Sequence, residues 1–220
     1  MIEDAIERWA GHYTVRSHHR RTAAADPAAF WAAAKSVRLD DTRTLGRLVR
    51  WRIPDTPGTL TFHELFRRYP FTLLEAGDTW SLSGLCGKIW TLQRDYPRLS
   101  GPADYEAWSE PDSVRVLFAH WTRPAGDGRA ELISEARVEP VDRRARVRVG
   151  ALWSVIGTFE RLIGAEPLVI AQRRAEDGRD GTGHERTRGD RGRGRSFNGV
   201  RRPLLPARRA TRPPPHGAGR

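Results

Sequence analysis

The strongest constraint on the fold is a change in sequence period near Pro140. Before it, four segments are predicted as strands: residues 71–76, 79–90, 113–122 and 130–138. They either alternate apolar and polar residues or are rich in β-branched and aromatic ones. After it, apolar residues recur at spacings of three and four from Val149 to Ile163, as on a helix, and Pro167 predicts a kink or restart. Because so apolar a stripe needs a partner and the sheet offers one, the sequence predicts an α+β fold.

The N-terminal part of the chain carries start and stop signals for short elements. Residues 1–11 are predicted as a helix, and the polar, β-branched segment from His12 as an exposed or edge strand. Asp26 and Pro27 suit the cap and the first turn of a helix. Two further short helices are predicted: residues 42–51 and 62–68.

The last 45 residues differ in composition from the rest of the chain. Residues 176–220 contain 12 Arg, nine Gly and five Pro but only five acidic side chains, so they supply most of the net charge of +11. Such a segment cannot bury enough apolar surface to offset its chain entropy, and it is predicted to be disordered. One domain, residues 12–175, is expected between the N-terminal helix and this tail.

Three features bear on the location of the protein. No signal peptide is recognisable, and no apolar run approaches the roughly 18–20 residues of a membrane helix. The single cysteine, Cys86, is predicted as a small buried residue and fits a reducing compartment. A cytoplasmic protein is therefore expected, and no oligomeric state is indicated.

Five segments follow one another in a recognisable order: residues 26–31, 71–75, 84–90, 134–138 and 153–163. In this order, residues 12–175 resemble bacterial members of the SRPBCC superfamily, the START-like and polyketide-cyclase-like ligand-binding proteins. The resemblance implies a helix-grip fold, in which a curved antiparallel sheet wraps around a long C-terminal helix. It also implies a cavity between sheet and helix for a lipid, polyketide or isoprenoid-like molecule. Since some members only bind ligands and others cyclise or dehydrate polyketides, the fold alone does not select a role.

The candidate ligand-binding residues lie on the predicted strands and on the long helix. Aromatic rings suit planar or isoprenoid ligands, although they also fill ordinary cores. His120 lies in register with Val116 and Phe118, so it is expected to point to the apolar side of the sheet. The expected ligand-binding set is Trp80, Trp90, Phe118, His120, Ser134, Trp153 and Ile156.

His120 and Ser134 are also the candidate catalytic residues of a cyclase or dehydratase. A histidine with an ordinary pKa of about 6.5 can act as a general acid or base near neutral pH. The alternative is a core histidine whose nitrogens are satisfied by the backbone or by Ser134. A non-catalytic binding protein is favoured over an enzyme.

The remaining polar residues carry weaker indications. His18 and His19 point to opposite faces of a strand, no residue spacing indicates a metal site, and no cofactor is indicated. Glu135 and Arg137 are expected on a solvated charged face. The basic tail either binds RNA, DNA or an anionic membrane through its charge, or is a solvated extension without a role.

Overall fold

A five-stranded antiparallel sheet with the strand order β1-β5-β4-β3-β2 is the centre of the fold. The computed structural model describes residues 2–91 and 96–188, and their side chains apart from those of residues 155–164 and 179–188. The strands are β1 (Val15–Ala23), β2 (Thr72–Gly77), β3 (Trp80–Gly87), β4 (Val114–Pro124) and β5 (Ala130–Pro140). β1 is an edge strand, as its polar sequence predicts, and it pairs with β5 at the other end of the domain.

All helices except α5 (Pro102–Glu106), which the sequence did not predict, lie close to the predicted positions. The helices are α1 (Ile2–Ala10), α2 (Pro27–Lys35), α3 (Leu45–Arg52), α4 (Phe62–Leu65), α5 (Pro102–Glu106), α6 (Arg143–Gly164) and α7 (Glu166–Arg188). The Asp26 carboxylate accepts a hydrogen bond from the Ala29 N–H at 2.8 Å, and Pro27 lies in the first turn of α2, as predicted. α6 ends at Gly164 and α7 restarts beside Pro167, which confirms the predicted interruption.

The C-terminal helix α7 continues beyond the predicted start of the tail. Composition places that start at residue 176, whereas α7 is helical to Arg188. Ala171 and Ala175 are buried in a cluster with α2 and β1 and anchor α7 to the domain. Once a helix has formed, each further residue that joins it adds one backbone hydrogen bond. Residues 189–220 lie outside the described residues. Within the described part, no helix is both long and apolar enough to cross a bilayer.

The two faces of the sheet are covered by different helices. Successive residues of a strand point to opposite faces. The front face, which carries Val116, Phe118 and His120, is contacted by α2, α6 and α7. The back face, which carries Leu117 and Ala119, is covered by α1 and α5. The predicted α+β class is therefore confirmed, with a helical layer on each side of the sheet.

The prediction of a solvated charged face at Glu135 and Arg137 is wrong. Both side chains lie on the back face near α1, with 2% and 7% of their surface exposed. The Arg137 Nε donates to Glu135 Oε1 at 2.7 Å, and Arg16 Nη2 donates to Oε2 at 2.7 Å. Arg137 Nη1 also reaches the Ala10 carbonyl oxygen at 3.1 Å and Glu7 Oε1 at 2.8 Å. Because each charge has close partners, the pair can be buried without an uncompensated ion.

The amphipathic sequence of α1 explains why the back face is covered. Ala5, Ile6 and Ala10 lie on one side of this helix and are buried in a cluster with back-face residues of β4 such as Leu117. The carboxylate of Glu135 lies under the same layer. Burial raises its pKa, but the hydrogen bonds from the two arginines outweigh burial and hold the pKa below its ordinary value. The buried carboxylate is therefore ionised at neutral pH.

The close approach of α5 to β3 depends on a glycine. Tyr105 is fully buried against Gly84, and a Cβ atom at that position would overlap the tyrosine ring. Cys86 belongs to the same back-face cluster and is buried, as predicted. Burial raises the pKa of its thiol to about 12, so the thiol stays protonated at neutral pH.

Candidate functional site

Four residues at the centre of the front face stay partly exposed although the residues on either side of them are buried. They form two directly opposed pairs between β4 and β5, here called the central patch: Phe118 with Ala136, and His120 with Ser134. On one side of the patch Val116 and Val138 are buried, and on the other Thr122 and Leu132 are buried. α6 and α7 contact β1 and β5. The central patch therefore keeps accessible surface on a face that α6 and α7 also contact, and it is the candidate site.

A row of polar side chains crosses the front face through the central patch. Ser134 lies between His19 on β1 and His120 on β4, and Ser81 on β3 lies opposite His120. Directly opposed residues share a face, with Cβ atoms about 5 Å apart. In the described part of the chain, no side-chain hydrogen bond is made by His120 or Ser134. Their donors and acceptors therefore remain available to a molecule that reaches the central patch.

Aromatic rings that flank the turn between α4 and β2 form a wall beside the central patch. The centroid of the Phe66 ring lies 4.7 Å from that of His120 and 5.1 Å from that of Phe118. Phe71 lies 4.9 Å from Phe66 and meets Phe118 edge-on at 5.4 Å. These rings offer a large apolar contact area to a flat or branched hydrocarbon.

His120 is neutral at physiological pH. Burial, reinforced by the nearby His63, lowers the pKa of His120 from 6.5 to about 4. A neutral imidazole donates one hydrogen bond and accepts another, so it suits an uncharged polar group such as a hydroxyl or carbonyl. Because it is almost entirely unprotonated near pH 7, it is a poor proton donor for a cyclase or dehydratase step at that pH.

The structure separates Trp80 from the other predicted ligand-binding residues. Phe118, His120 and Ser134 lie together in the central patch. Trp80 is paired with Trp121 and packs with the back-face cluster that includes α1. The alternation of β3 places Ser81, rather than Trp80, opposite His120. Trp80 therefore lies on the opposite face of the sheet from the central patch.

Of the three other predicted residues, Trp90 and Trp153 lie near the periphery of the front face, and the side chain of Ile156 is not among those that the structure describes. Trp90 packs at one end of the face with Val149, and the Arg148 guanidinium lies 5.8 Å from its ring centroid. Trp153 is half-buried on α6, which contacts β1 and β5.

Sequence reasoning missed four members of this site: His19, Ser81, Phe66 and Phe71. The alternation of β1 separates His19 from His18, but no local signal tells which strand β1 joins. The two phenylalanines stand on either side of a turn, where periodicity assigns no face. Within residues 2–91 and 96–188, no group of three His, Cys, Asp or Glu side chains could hold a metal ion.

Comparisons with known proteins give this chain no family. No family model matches it, and no curated protein is significantly similar. Among solved structures, the crystal structure of TTHA0849 from Thermus thermophilus aligns over 73% of this chain and 97% of its own, with 10% sequence identity and a TM-score of 0.31. A likeness this distant carries no argument, so the function has to be inferred from the residues themselves.

Proposed function

We propose that the protein binds a hydrophobic or amphipathic small molecule, such as a lipid, polyketide or isoprenoid, in the recess between the front face of the sheet and α6. The central patch carries this proposal, because its four residues keep accessible surface between buried neighbours. Ligand pockets are mostly apolar with a few polar groups that fix orientation. Phe66, Phe71 and Phe118 supply the apolar surface, and His120 with Ser134 supplies the polar groups.

A helix-grip arrangement of the SRPBCC type is part of the same proposal. It is supported by the order of elements, in which β1 is followed by short helices, then by antiparallel strands, then by the long helix α6. It is also supported by the contacts of α6 with β1 and β5. In such an arrangement the ligand lies between helix and sheet, on the side where His120 and Ser134 make no side-chain hydrogen bond among the described residues.

A pair of alanine substitutions on opposite faces of the sheet tests for the recess. Ala136→Leu adds carbon atoms to the partly exposed patch, whereas Ala119→Leu adds them to the back face, where Ala119 is 1% exposed. Overpacking a filled core costs about 1–3 kcal/mol of unfolding free energy. We expect that cost for Ala119→Leu and almost none for Ala136→Leu, measured by chemical denaturation.

Ligand content is measured on the same proteins. Native mass spectrometry and solvent extraction of the purified wild type should recover a small molecule, and Ala136→Leu should lose it. Ala119→Leu, if folded, should keep it. The proposal is wrong if two results occur together. The first is that Ala136→Leu destabilises the protein as much as Ala119→Leu does, and the second is that neither the wild type nor either variant retains a small molecule or binds an added fatty acid.

A further inference from the structure

Helix α3 turns two large apolar side chains towards the solvent. Leu48 is 38% exposed and Trp51 is 54% exposed. They are three residues apart and therefore neighbours on the helix surface. Leu45 and Val49 pack against the front-face core, so α3 is held to the domain while its other side faces outward.

The exposed apolar pair lies in a basic stretch of sequence. Residues 42–54 contain four arginines and no acidic residue: Arg43, Arg47, Arg50 and Arg52. Asp55, just after this stretch, is exposed and has no ion pair in the described part of the chain, but two other nearby carboxylates already have partners. Asp40 pairs with Arg50 at 2.9 Å, and the Glu166 carboxylate accepts backbone N–H groups of Arg43 and Leu45 at 2.6 and 3.0 Å. Arg47, on the outward side, has no ion pair in the described part of the chain.

A second exposed aromatic residue stands on the other side of a cleft from α3. The cleft has a volume of about 350 Å³ and is lined by Arg52 at the end of α3 and by Arg68 and Tyr69. Tyr69 is 39% exposed, and the Arg98 guanidinium lies 4.4 Å from its ring centroid. Arg52 and Tyr69 therefore line one cleft, and Trp51 is the residue before Arg52 on α3.

We infer that this surface, formed by Arg47, Leu48, Trp51 and Tyr69 and here called the α3 surface, docks on an anionic lipid membrane. Tryptophan and tyrosine favour the headgroup level of a bilayer, and arginines beside them are attracted to anionic lipids. Each such charge raises the affinity about fivefold near an anionic surface. A stable protein–protein interface buries about 800 Å² on each partner, which is more than a few side chains on one short helix provide.

An environment-sensitive fluorophore placed on α3 tests the inference in the full chain. Leu48→Cys provides the labelling site, since the native Cys86 is buried with a raised thiol pKa. Val147→Cys, at a residue 68% exposed on α6, is the matched control. Vesicles of phosphatidylcholine with phosphatidylserine should shift the emission of the label at position 48 to the blue. Vesicles of phosphatidylcholine alone should shift it much less, and the label at position 147 should not respond.

The contribution of charge is measured by vesicle cosedimentation. Arg47→Gln should weaken binding about fivefold, and Arg129→Gln, which removes an exposed arginine from the β4–β5 turn, should not. The basic residues 189–220 are the same in all variants. Cosedimentation without a shift at position 48 would overturn the inference and assign the binding to another part of the chain. An equal shift with soluble polyglutamate would also overturn it, in favour of an acidic protein partner.

Discussion

The change Glu135→Gln should be among the most destabilising substitutions of equal size in the sheet. The change Glu135→Gln keeps the size of the side chain but removes the negative charge that lies 2.7 Å from both Arg16 and Arg137. The Arg137 guanidinium, only 7% exposed, then has to remain buried with weaker compensation. It keeps Glu7, whose side chain is 61% exposed, the Ala10 carbonyl oxygen, and the Tyr13 ring, whose centroid lies 4.6 Å away.

The expected cost follows from the burial of the pair. Removing one partner of a buried ion pair costs about 3–5 kcal/mol, because the remaining charge stays desolvated. We expect the lower end, about 3 kcal/mol, since Arg137 keeps its contacts with Glu7, the Ala10 carbonyl oxygen and the Tyr13 ring. Removing both charges together by Glu135→Leu with Arg137→Met should cost less than the single change, because no buried ion is left behind.

The measurement is the unfolding free energy at neutral pH from guanidinium denaturation followed by tryptophan fluorescence. Glu131→Gln is the matched control, since Glu131 also lies on β5 but its partners Arg123 and Arg20 have 51% and 68% of their side chains exposed. Glu131 itself is buried, but its arginine partners are hydrated, so we expect Glu131→Gln to leave no desolvated cation and to cost less than Glu135→Gln. Equal losses for Glu135→Gln and Glu131→Gln would refute the reasoning and show that the back face is solvated after all.

Two further outcomes follow from the close packing and from the buried histidine. Gly84→Ala should cost about 1–3 kcal/mol because its Cβ atom would overlap Tyr105, whereas Gly150→Ala, in open space on α6, should stabilise the helix by up to about 1 kcal/mol. The pKa of His120 is about 4 in the folded protein, against the ordinary histidine value of 6.5 in the unfolded chain. As the pH falls, the unfolded chain therefore binds the proton before the folded protein does. In denaturation experiments, the free energy of unfolding should keep the full contribution of neutral His120 above pH 6.5 and fall by about 3 kcal/mol towards pH 4. The decrease should be smaller in His120→Gln.

The elements that sequence reasoning located correctly are those with a local physical cause. Asp26 and Pro27 mark the start of α2 because a carboxylate satisfies free backbone N–H groups there and proline fits the first turn. Pro167 interrupts the C-terminal helical region because proline cannot donate a backbone hydrogen bond. The strands follow from a period of two that any half-buried strand needs.

The back face was misjudged because its cover comes from a distant segment. Glu135 and Arg137 alternate with apolar residues, as on a wet strand, and nothing nearby in sequence shows that α1 packs over them. The spacing of Ile2, Ile6 and Trp9 in α1 was the available signal, since it describes an amphipathic helix that needs a partner. The acidic residues of α1, such as Glu3 and Asp4, made this segment look polar throughout and obscured its apolar side.

β5 shows why the front face is the better place to look for a ligand. On the back of this strand, the polar atoms of Glu135 and Arg137 are taken up by one another and by Arg16, Glu7 and Ala10. On the front, Ser134 makes no side-chain hydrogen bond within the described residues and keeps accessible surface. Buried polar groups are normally satisfied by protein partners or by ordered water. The hydroxyl of Ser134, beside a neutral imidazole on a helix-covered face, supports the proposal that a ligand binds on the front of the sheet rather than on its back.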